Sequence, residues 1–372
     1  MKFSMEKERL LAALGIAARG ASTRSAIQTL AGVMIRAADG KVELQATDME
    51  LGVRVSTDAS AEREGSAVVP ARLLLDVVRS LPKSDVSLEF RSSEGDVEVV
   101  SGPSRFHLRT LPADEFPNLP DAGDAAVVRV PAKAFVETVN RVARAASRDE
   151  TRPHLTGVLV SASERELRMV ATDSYRLSVK ETPLESELEG SLEANVPART
   201  LQELSRVAAS EGGDAIEIAS LEHQVVFRVG PVTLSSRLVE GRFPNYKQLL
   251  PESFEHELRV NVEELLEVVR RISLLAQKNA PLRLKFTEGA LEISAQTPDI
   301  GEASESLPVP FKGEQLEIGF NPEFLREGLE SVESDELVLK LISPLRPGLI
   351  EAGAGEEAGS FIYLVMPIRL NV

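Results

Sequence analysis

Val69-Pro70-Ala71-Arg72-Leu73-Leu74 is the stretch that decides the fold, because the chain writes it again. It returns as Val130-Pro131-Ala132-Lys133-Ala134-Phe135 and as Val196-Pro197-Ala198-Arg199-Thr200-Leu201. Looser copies are Val260-Asn261-Val262-Glu263-Glu264-Leu265 and Phe320-Asn321-Pro322-Glu323-Phe324-Leu325, and Met5-Glu6-Lys7-Glu8-Arg9-Leu10 fits the same frame. The last positions of the six copies are spaced 64, 61, 66, 64 and 60 residues apart. Six units of near-constant length imply repeated domains, since small stacked repeats have periods of about 20–50 residues.

A longer period overlies the short one. Ala46-Thr47-Asp48 returns 125 residues later as Ala171-Thr172-Asp173, and Phe116-Pro117-Asn118 returns 127 residues later as Phe243-Pro244-Asn245. Ala295-Gln296-Thr297-Pro298 stands where a third Ala-Thr-Asp turn would be. The six units therefore pair into three domains, residues 1–122, 123–253 and 254–372, with Asp121-Ala122-Gly123-Asp124 and Pro251-Glu252-Ser253 as linkers.

Each unit is expected to open with a helix. Pro70, Pro131 and Pro197 would sit in first turns, where a missing N–H costs nothing, and Asn261 and Asn321 are candidate N-caps. Phe135, Val136, Val139, Val142 and Ala143 form one apolar helical face, as do Leu265, Leu266, Val268, Val269 and Ile272. Strands follow: Lys41 to Ala46, Glu89 to Val99 and Leu282 to Phe286 alternate with period two, and Asp39-Gly40 and Glu288-Gly289 supply hairpin turns. Such alternation implies antiparallel sheets with one buried face, hence an α+β fold.

Composition narrows the function. The 372 residues carry a net charge of −16, which taken alone opposes nucleic-acid binding. The charge is unevenly spread. The six helical segments, taken in order, carry +1, +2, +3, +1, 0 and −3. Arg141, Arg144 and Arg148 recur at helical spacing, as a stripe opposite the apolar face. Such a stripe is either a solvated face or part of a basic lining that follows a phosphate backbone. There is no Cys, so disulfides, thiolate metal sites and a Cys nucleophile are absent. The first residues are charged too early for a signal peptide, and no apolar run approaches the roughly 18 residues of a membrane span. A soluble, cytoplasmic protein is expected. Glycine-rich phosphate loops, Gly-x-Ser-x-Gly and paired-His motifs are missing, so neither a catalytic residue nor a cofactor is expected. His107, His154, His223 and His256 are scattered, and Asp48 and Asp173 occupy equivalent places, which favours a turn role over catalysis.

Seven motifs occur in order along the whole chain. They are Met1-Lys2-Phe3, Ala46-Thr47-Asp48, Val69-Pro70-Ala71-Arg72, Phe116-Pro117-Asn118-Leu119, Ala171-Thr172-Asp173-Ser174-Tyr175-Arg176-Leu177, Glu240-Gly241-Arg242-Phe243-Pro244-Asn245-Tyr246 and Tyr363-Leu364-Val365-Met366-Pro367-Ile368-Arg369-Leu370. In this order the chain resembles the bacterial DNA polymerase III beta subunit family. The resemblance implies three repeated clamp domains, with sheets outside and two helices per domain facing a central hole. It implies a head-to-tail homodimer that encircles duplex DNA without reading its sequence. It also implies that polymerases, clamp-loader subunits and repair proteins are tethered through short linear motifs. A peptide-binding scaffold with no nucleic-acid role is the alternative.

Three surfaces follow from the resemblance. A peptide pocket would use Leu155, Thr172, Arg176, Leu177, Pro244, Leu249, Val365, Met366, Pro367, Ile368 and Arg369. A subunit interface would set Arg105, Phe106 and Leu108 against Leu274 and Leu275, with Asp299, Glu302 and Glu305 facing the basic side. DNA contacts would come from Arg24, Arg72, Arg148, Arg152, Arg199 and Lys278. The chain departs from some relatives at Pro153-His154, where they carry an aromatic pair, and at Ser174-Tyr175, which reshapes the pocket rim. Residues 351–359 read as a loop, and Asn371-Val372 extend past the usual end.

Overall fold

A short strand precedes each of the six helices. The computed structural model describes residues 1–22, 24–82, 84–276, 280–353 and 360–370. The first half-unit runs β1 (Lys2–Glu6), α1 (Lys7–Ala17), β2 (Gly32–Ala38), β3 (Lys41–Thr47) and β4 (Leu51–Asp58), followed by a short β5 (Ser60–Arg63). The second runs β6 (Gly65–Pro70), α2 (Ala71–Ser80), β7 (Asp85–Arg91), β8 (Asp96–Ser101) and β9 (Ser104–Arg109). The third runs β10 (Val127–Pro131), α3 (Ala132–Val142), β11 (Gly157–Ser163), β12 (Glu166–Thr172) and β13 (Arg176–Pro183). The fourth runs β14 (Leu192–Pro197), α4 (Ala198–Glu211), β15 (Ala215–Ser220), β16 (Gln224–Val229) and β17 (Val232–Arg237). The fifth runs β18 (His256–Asn261), α5 (Val262–Ser273), β19 (Leu282–Thr287), β20 (Ala290–Thr297) and β21 (Gly301–Pro308). The sixth runs β22 (Leu316–Phe320), α6 (Pro322–Leu329), β23 (Glu336–Leu341), β24 (Gly348–Ala352) and β25 (Phe361–Val365).

The repeating unit is thus strand, helix and three strands, which corrects the expectation that it opens with a helix. The prolines move accordingly. Pro70 has φ −52° and ψ 116°, so it is extended, ends β6 opposite Gly32 and caps α2 from outside. Pro131 and Pro197 likewise end β10 and β14, opposite Ala215 and Gly157. A residue without an N–H closes a ladder as readily as it opens a helix. Asn261 and Asn321 do cap: their Oδ1 atoms accept from Glu264 N at 3.0 Å, and from Glu323 N and Phe324 N at 2.9 and 3.1 Å.

The opening strand of each half-unit leaves its own trio and pairs with a neighbour's. β1 lies beside β7, β6 beside β2, β10 beside β15, β14 beside β11, β18 beside β23 and β22 beside β19, all antiparallel. This exchange knits consecutive half-units into one domain.

The chain divides into two compact units that do not follow the repeat. One holds Met1–Lys133 and Arg199–Leu238, and the other holds Ala134–Ala198 and Val239–Val372. The central repeat is shared between them. The first unit contains the sheets β5-β1-β7-β8-β9 and β10-β15-β16-β17-β4-β3-β2-β6. The second contains β14-β11-β12-β13-β25-β24-β23-β18 and β21-β20-β19-β22. Within each eight-stranded sheet the last strands of two half-units meet: β4 with β17, and β13 with β25.

Each helix buries one face against a sheet. In α2 the buried residues are Ala71, Leu74, Val77 and Val78, while Arg72 and Arg79 stay exposed. In α5 they are Val262, Leu265, Val268, Val269 and Ile272. Each such Leu, Val or Ile contributes about 1.5–3 kcal/mol of transfer free energy. Arg141 departs from the expected surface stripe. It is buried and paired with Glu333, because the turn after α6 brings that carboxylate to it.

Candidate functional site

The strand end Thr172 and the turn after it build one wall of a pocket in the second unit. Asp173 Oδ1 accepts from Tyr175 N and Arg176 N at 2.9 and 3.0 Å, which leaves Ser174 at φ 78°. Asp48 repeats the device, accepting from Glu50 N and Leu51 N, with Met49 at φ 78°. Both aspartates therefore serve turns, as their equivalent places led us to expect. The turn delivers Arg176 and Leu177 to the start of β13, where they pair with Val365 and Leu364 of β25.

The pocket holds about 320 Å³. Leu177 and Leu364 lie in its lining with Thr172, Ser174, Arg176 and Met366. A second wall is Gln248-Leu249-Leu250-Pro251, and a third is Leu345-Arg346-Pro347. Tyr246, in the 3₁₀ turn Tyr246–Leu249, is buried with Val170, Leu177, Val179, Leu349 and Leu364, and so anchors the second wall. Tyr175, Leu249 and Leu345 are exposed apolar residues at or beside the mouth. Such a rim around an apolar cavity marks a binding surface.

Arg176 is 5% exposed and fully engaged. Its Nε donates to Asp173 Oδ2 at 3.0 Å and its Nη2 donates to the Arg144 carbonyl at 2.6 Å. Nη1 donates to Glu327 of α6 and to the Tyr363 hydroxyl, and the guanidinium lies 4.3 Å from the Phe324 ring centroid. Burial opposes its charge, but Tyr363 and Glu327 outweigh burial and hold its pKa above the ordinary value. Burial in turn raises the Tyr363 hydroxyl, against the pull of Arg176. Arg176 is thus a buried strut of the wall.

The C-terminal segment is tied at two points. Met366 N donates to the Tyr175 carbonyl at 2.8 Å, and Ile368 N donates to the Gly319 carbonyl at 2.8 Å. A Cβ at Gly319 would lie 2.6 Å from Leu370 Cδ2 and 2.8 Å from the Ile368 carbonyl oxygen, so only glycine lets the segment lie this close.

Of the eleven residues expected in the pocket, Thr172, Arg176, Leu177, Leu249 and Met366 line it. Val365 is buried in β25 behind the lining. Leu155 is buried in the turn Pro153–Leu155. Pro244 is half-buried, and its carbonyl accepts from Tyr246 N at 2.8 Å. Pro367 and Ile368 are half-buried, and Arg369 is exposed. Ser174, Gln248, Leu250, Pro251, Leu345, Arg346, Pro347 and Leu364 complete the lining.

The first unit carries the equivalent groove in a different state. It holds only about 90 Å³, lined by Thr47, Met49, Gly52, Pro117 to Pro120, Gln224 and Ser235 to Arg237, together with Glu50. Gly52 pairs with Ser235 where Leu177 pairs with Leu364. A Cβ at Gly52 would meet Leu119 Cδ2 at 2.9 Å, so the chain's own Leu119 takes that space. The connection between β15 and β16 spans three residues, against six between β23 and β24. The longer connection supplies the Leu345-Arg346-Pro347 wall that the first groove lacks.

The other expected residues fall elsewhere. Arg24, Arg72 and Arg148 are exposed and make no ion pair among the described residues. Arg152 pairs with Asp149 at 3.0 Å and bonds Ser174 Oγ at 3.1 Å. Arg199 pairs with Asp48 at 2.5 Å. Lys278 lies outside the described residues, as do residues 354–359 and Asn371-Val372, while Glu351 and Ala352, expected in a loop, belong to β24 opposite Val338 and Leu337. Arg105, Phe106 and Leu108 lie on β9, a sheet edge, with Leu108 buried and Arg105 bonded to Glu98 at 2.8 Å. Leu274 is 84% exposed just after α5, and Leu275 is half-buried beside it. Asp299 and Glu302 are exposed at and near the start of the edge strand β21. Glu305 is held by Arg271 at 2.7 and 3.0 Å, so it is committed inside its own chain. Among the described residues no group of three His, Asp or Glu is placed to hold a metal.

The chain matches the DNA polymerase III beta subunit, N-terminal domain over residues 1–120, the central domain over 129–245 and the C-terminal domain over 247–369. It is 35% identical to the beta sliding clamp of Streptomyces coelicolor over 381 aligned positions, covering 100% of both chains. A DNA polymerase sliding clamp structure from Bacillus subtilis superposes with a TM-score of 0.91 at 30% identity, covering 100% of both chains. A sliding clamp from Pseudomonas aeruginosa, solved bound to griselimycin, superposes with a TM-score of 0.89 at 28% identity, again over 100% of both.

Proposed function

The chain belongs to the DNA polymerase III beta subunit family, the beta sliding clamps, and from that premise we propose that it encircles duplex DNA as a head-to-tail homodimer and tethers polymerases through the Leu177–Leu364 pocket. It is a processivity factor with no catalysis of its own. Tethering acts through effective concentration: a linked polymerase rebinds the primer end before it diffuses away. The observation that carries this reading is the match of three consecutive family domains across the chain, with a rimmed apolar pocket where β13 meets β25.

The three domains are residues 1–122, 123–253 and 254–372. Polymerases, clamp-loader subunits and repair proteins would share the pocket through short linear motifs. Leu177, Leu364 and Leu345 would receive the apolar side chains of such a motif, with Met366 adapting to varied ligands. Arg176 would hold the wall rather than grip the ligand. The exposed Arg24, Arg72 and Arg148, with Arg152, Arg199 and Lys278, would contact phosphates without reading sequence. Phe106 and Leu108 would meet Leu274 and Leu275 of a second copy. The protein would work in the cytoplasm, at the nucleoid. Among the described residues no helix is long and apolar enough to cross a membrane.

Mass in solution tests the assembly. At micromolar concentration the expected species has twice the 40.4 kDa chain mass. A strict monomer would contradict a closed ring.

A further inference from the structure

We infer that Arg346 selects among the ligands of the Leu177–Leu364 pocket, favouring short motifs that carry a carboxylate beside their apolar residues. The preference rests on the peptide-binding role proposed above and gives that role its ligand chemistry. The pocket lining holds two guanidiniums, Arg176 and Arg346, and no carboxylate. That is the reverse of the chain as a whole, where 58 Asp and Glu outnumber 42 Lys and Arg. The closed groove of the first unit differs, with Glu50 and Arg237 in its lining, one charge of each sign.

The two pocket arginines are in different states. Arg176 is buried and answered inside the chain, by Asp173 at 3.0 Å and by Glu327. Arg346 is exposed, and no ion pair among the described residues includes it. Lys247 and Glu252 adjoin the second wall at its two ends, both exposed, so their charges offset each other. Arg346 is thus the uncompensated charge at the mouth.

The local chain presents this cation on an ordered backbone. Arg346 N donates to the Ser343 carbonyl at 3.2 Å, closing a turn with Pro344 and Leu345 at its centre. Pro344 presets that turn, and Pro347 steers the Arg346 backbone away from the helical region. Only the side chain therefore remains to be fixed when a ligand arrives. Leu345, the exposed apolar wall residue, precedes Arg346 directly. A motif that packs an apolar side chain on Leu345 brings its neighbouring residue within reach of the guanidinium. A carboxylate fits the planar fork with two parallel hydrogen bonds, which a neutral amide matches only in part and a cation not at all. The docked ligand also shields the pair from water, so the pair counts for more than one on open surface. The carboxylate can belong to an Asp or Glu side chain or to the end of a chain.

Peptide selection tests this. Short random peptides, one pool ending in a free carboxylate and one in an amide, are selected on the full-length protein and on its Leu345→Ala variant. Peptides that need Leu345 are the pocket ligands. In the amide pool these should carry Asp or Glu beside their apolar residues. Exchanging that residue for Asn or Gln should weaken binding about 3–10-fold on the wild-type protein and less than about twofold on Arg346→Gln. Arg346→Glu should turn the preference towards Lys and Arg. Arg346 lies on the surface, so both substitutions leave the core intact. Pocket ligands confined to the free-carboxylate pool, and equally sensitive to Arg346→Gln, would uphold the preference and assign the carboxylate to a chain end. Pocket ligands without a carboxylate, or with one that Arg346→Gln does not affect, would overturn the role of Arg346 and leave the pocket standing. If no peptide distinguishes the wild-type protein from Leu345→Ala, the pocket reading itself fails and the preference falls with it.

Discussion

Leu177 lies opposite Leu364 where β13 meets β25, and the equivalent pair where β4 meets β17 is Gly52 and Ser235. Two leucines make an apolar floor, and the six-residue connection after β23 walls it. A glycine and a serine leave a gap that Leu119 enters. One repeated junction has thus become a pocket in one place and a closed groove in the other.

The exposed wall residue Leu345 is the cleanest probe of that pocket. Leu345→Ala should leave the melting temperature within about 2 °C, since the side chain is mostly in solvent. It should weaken a polymerase-derived peptide by roughly 5–30-fold in calorimetry, the range of a moderate interface hot spot. Unchanged affinity would place the ligand elsewhere.

Deleting Met366 to Val372 removes the segment held by Tyr175 and Gly319. Peptide binding should be lost while the solution mass stays that of a dimer. A monomer would show that the segment serves assembly instead.

Glu327 tests the strut. Arg176 and Glu327 are both largely buried. Glu327→Gln would leave the guanidinium under-compensated, at a cost of about 3–5 kcal/mol in denaturant unfolding. A change below about 1 kcal/mol would mean that Asp173 and the Arg144 carbonyl suffice.

Acid should loosen the second unit in a defined direction. Arg271 holds the Glu305 carboxyl below its usual range. Glu330 is also held low: burial works against it, but Arg270, Arg144 and Arg326 prevail. Groups with depressed folded pKa values stabilise above the unfolded value and lose that contribution as pH falls through the folded one. Glu305→Gln should therefore flatten the acid limb of the stability profile below about pH 4.3. An unaltered limb would remove Glu305 from the account.

Much of this was legible in the sequence, for physical reasons. The six copies share their helix starts because each strand-to-helix corner needs the same residues. The strand before each helix was missed because it is only five or six residues long, and in β6, β10 and β14 it ends in a proline, a residue that reads equally well as a helix start. The third pocket wall was missed because Leu345-Arg346-Pro347 has no counterpart in the other half-units. Charge counting misjudged α6 and the turn after it. Glu327, Glu330 and Glu333 are each answered by an arginine from another element, Arg176, Arg144 with Arg270, and Arg141. Such pairs join residues far apart in the chain, so no local pattern announces them.

Topological linkage to DNA is the central claim, and one measurement addresses it directly. The protein is loaded onto nicked circular DNA by a clamp loader, and the DNA is then linearised. The ring should stay on the circle and slide off the free ends after cutting. Retention on linear DNA with unblocked ends would contradict encirclement and favour ordinary surface binding.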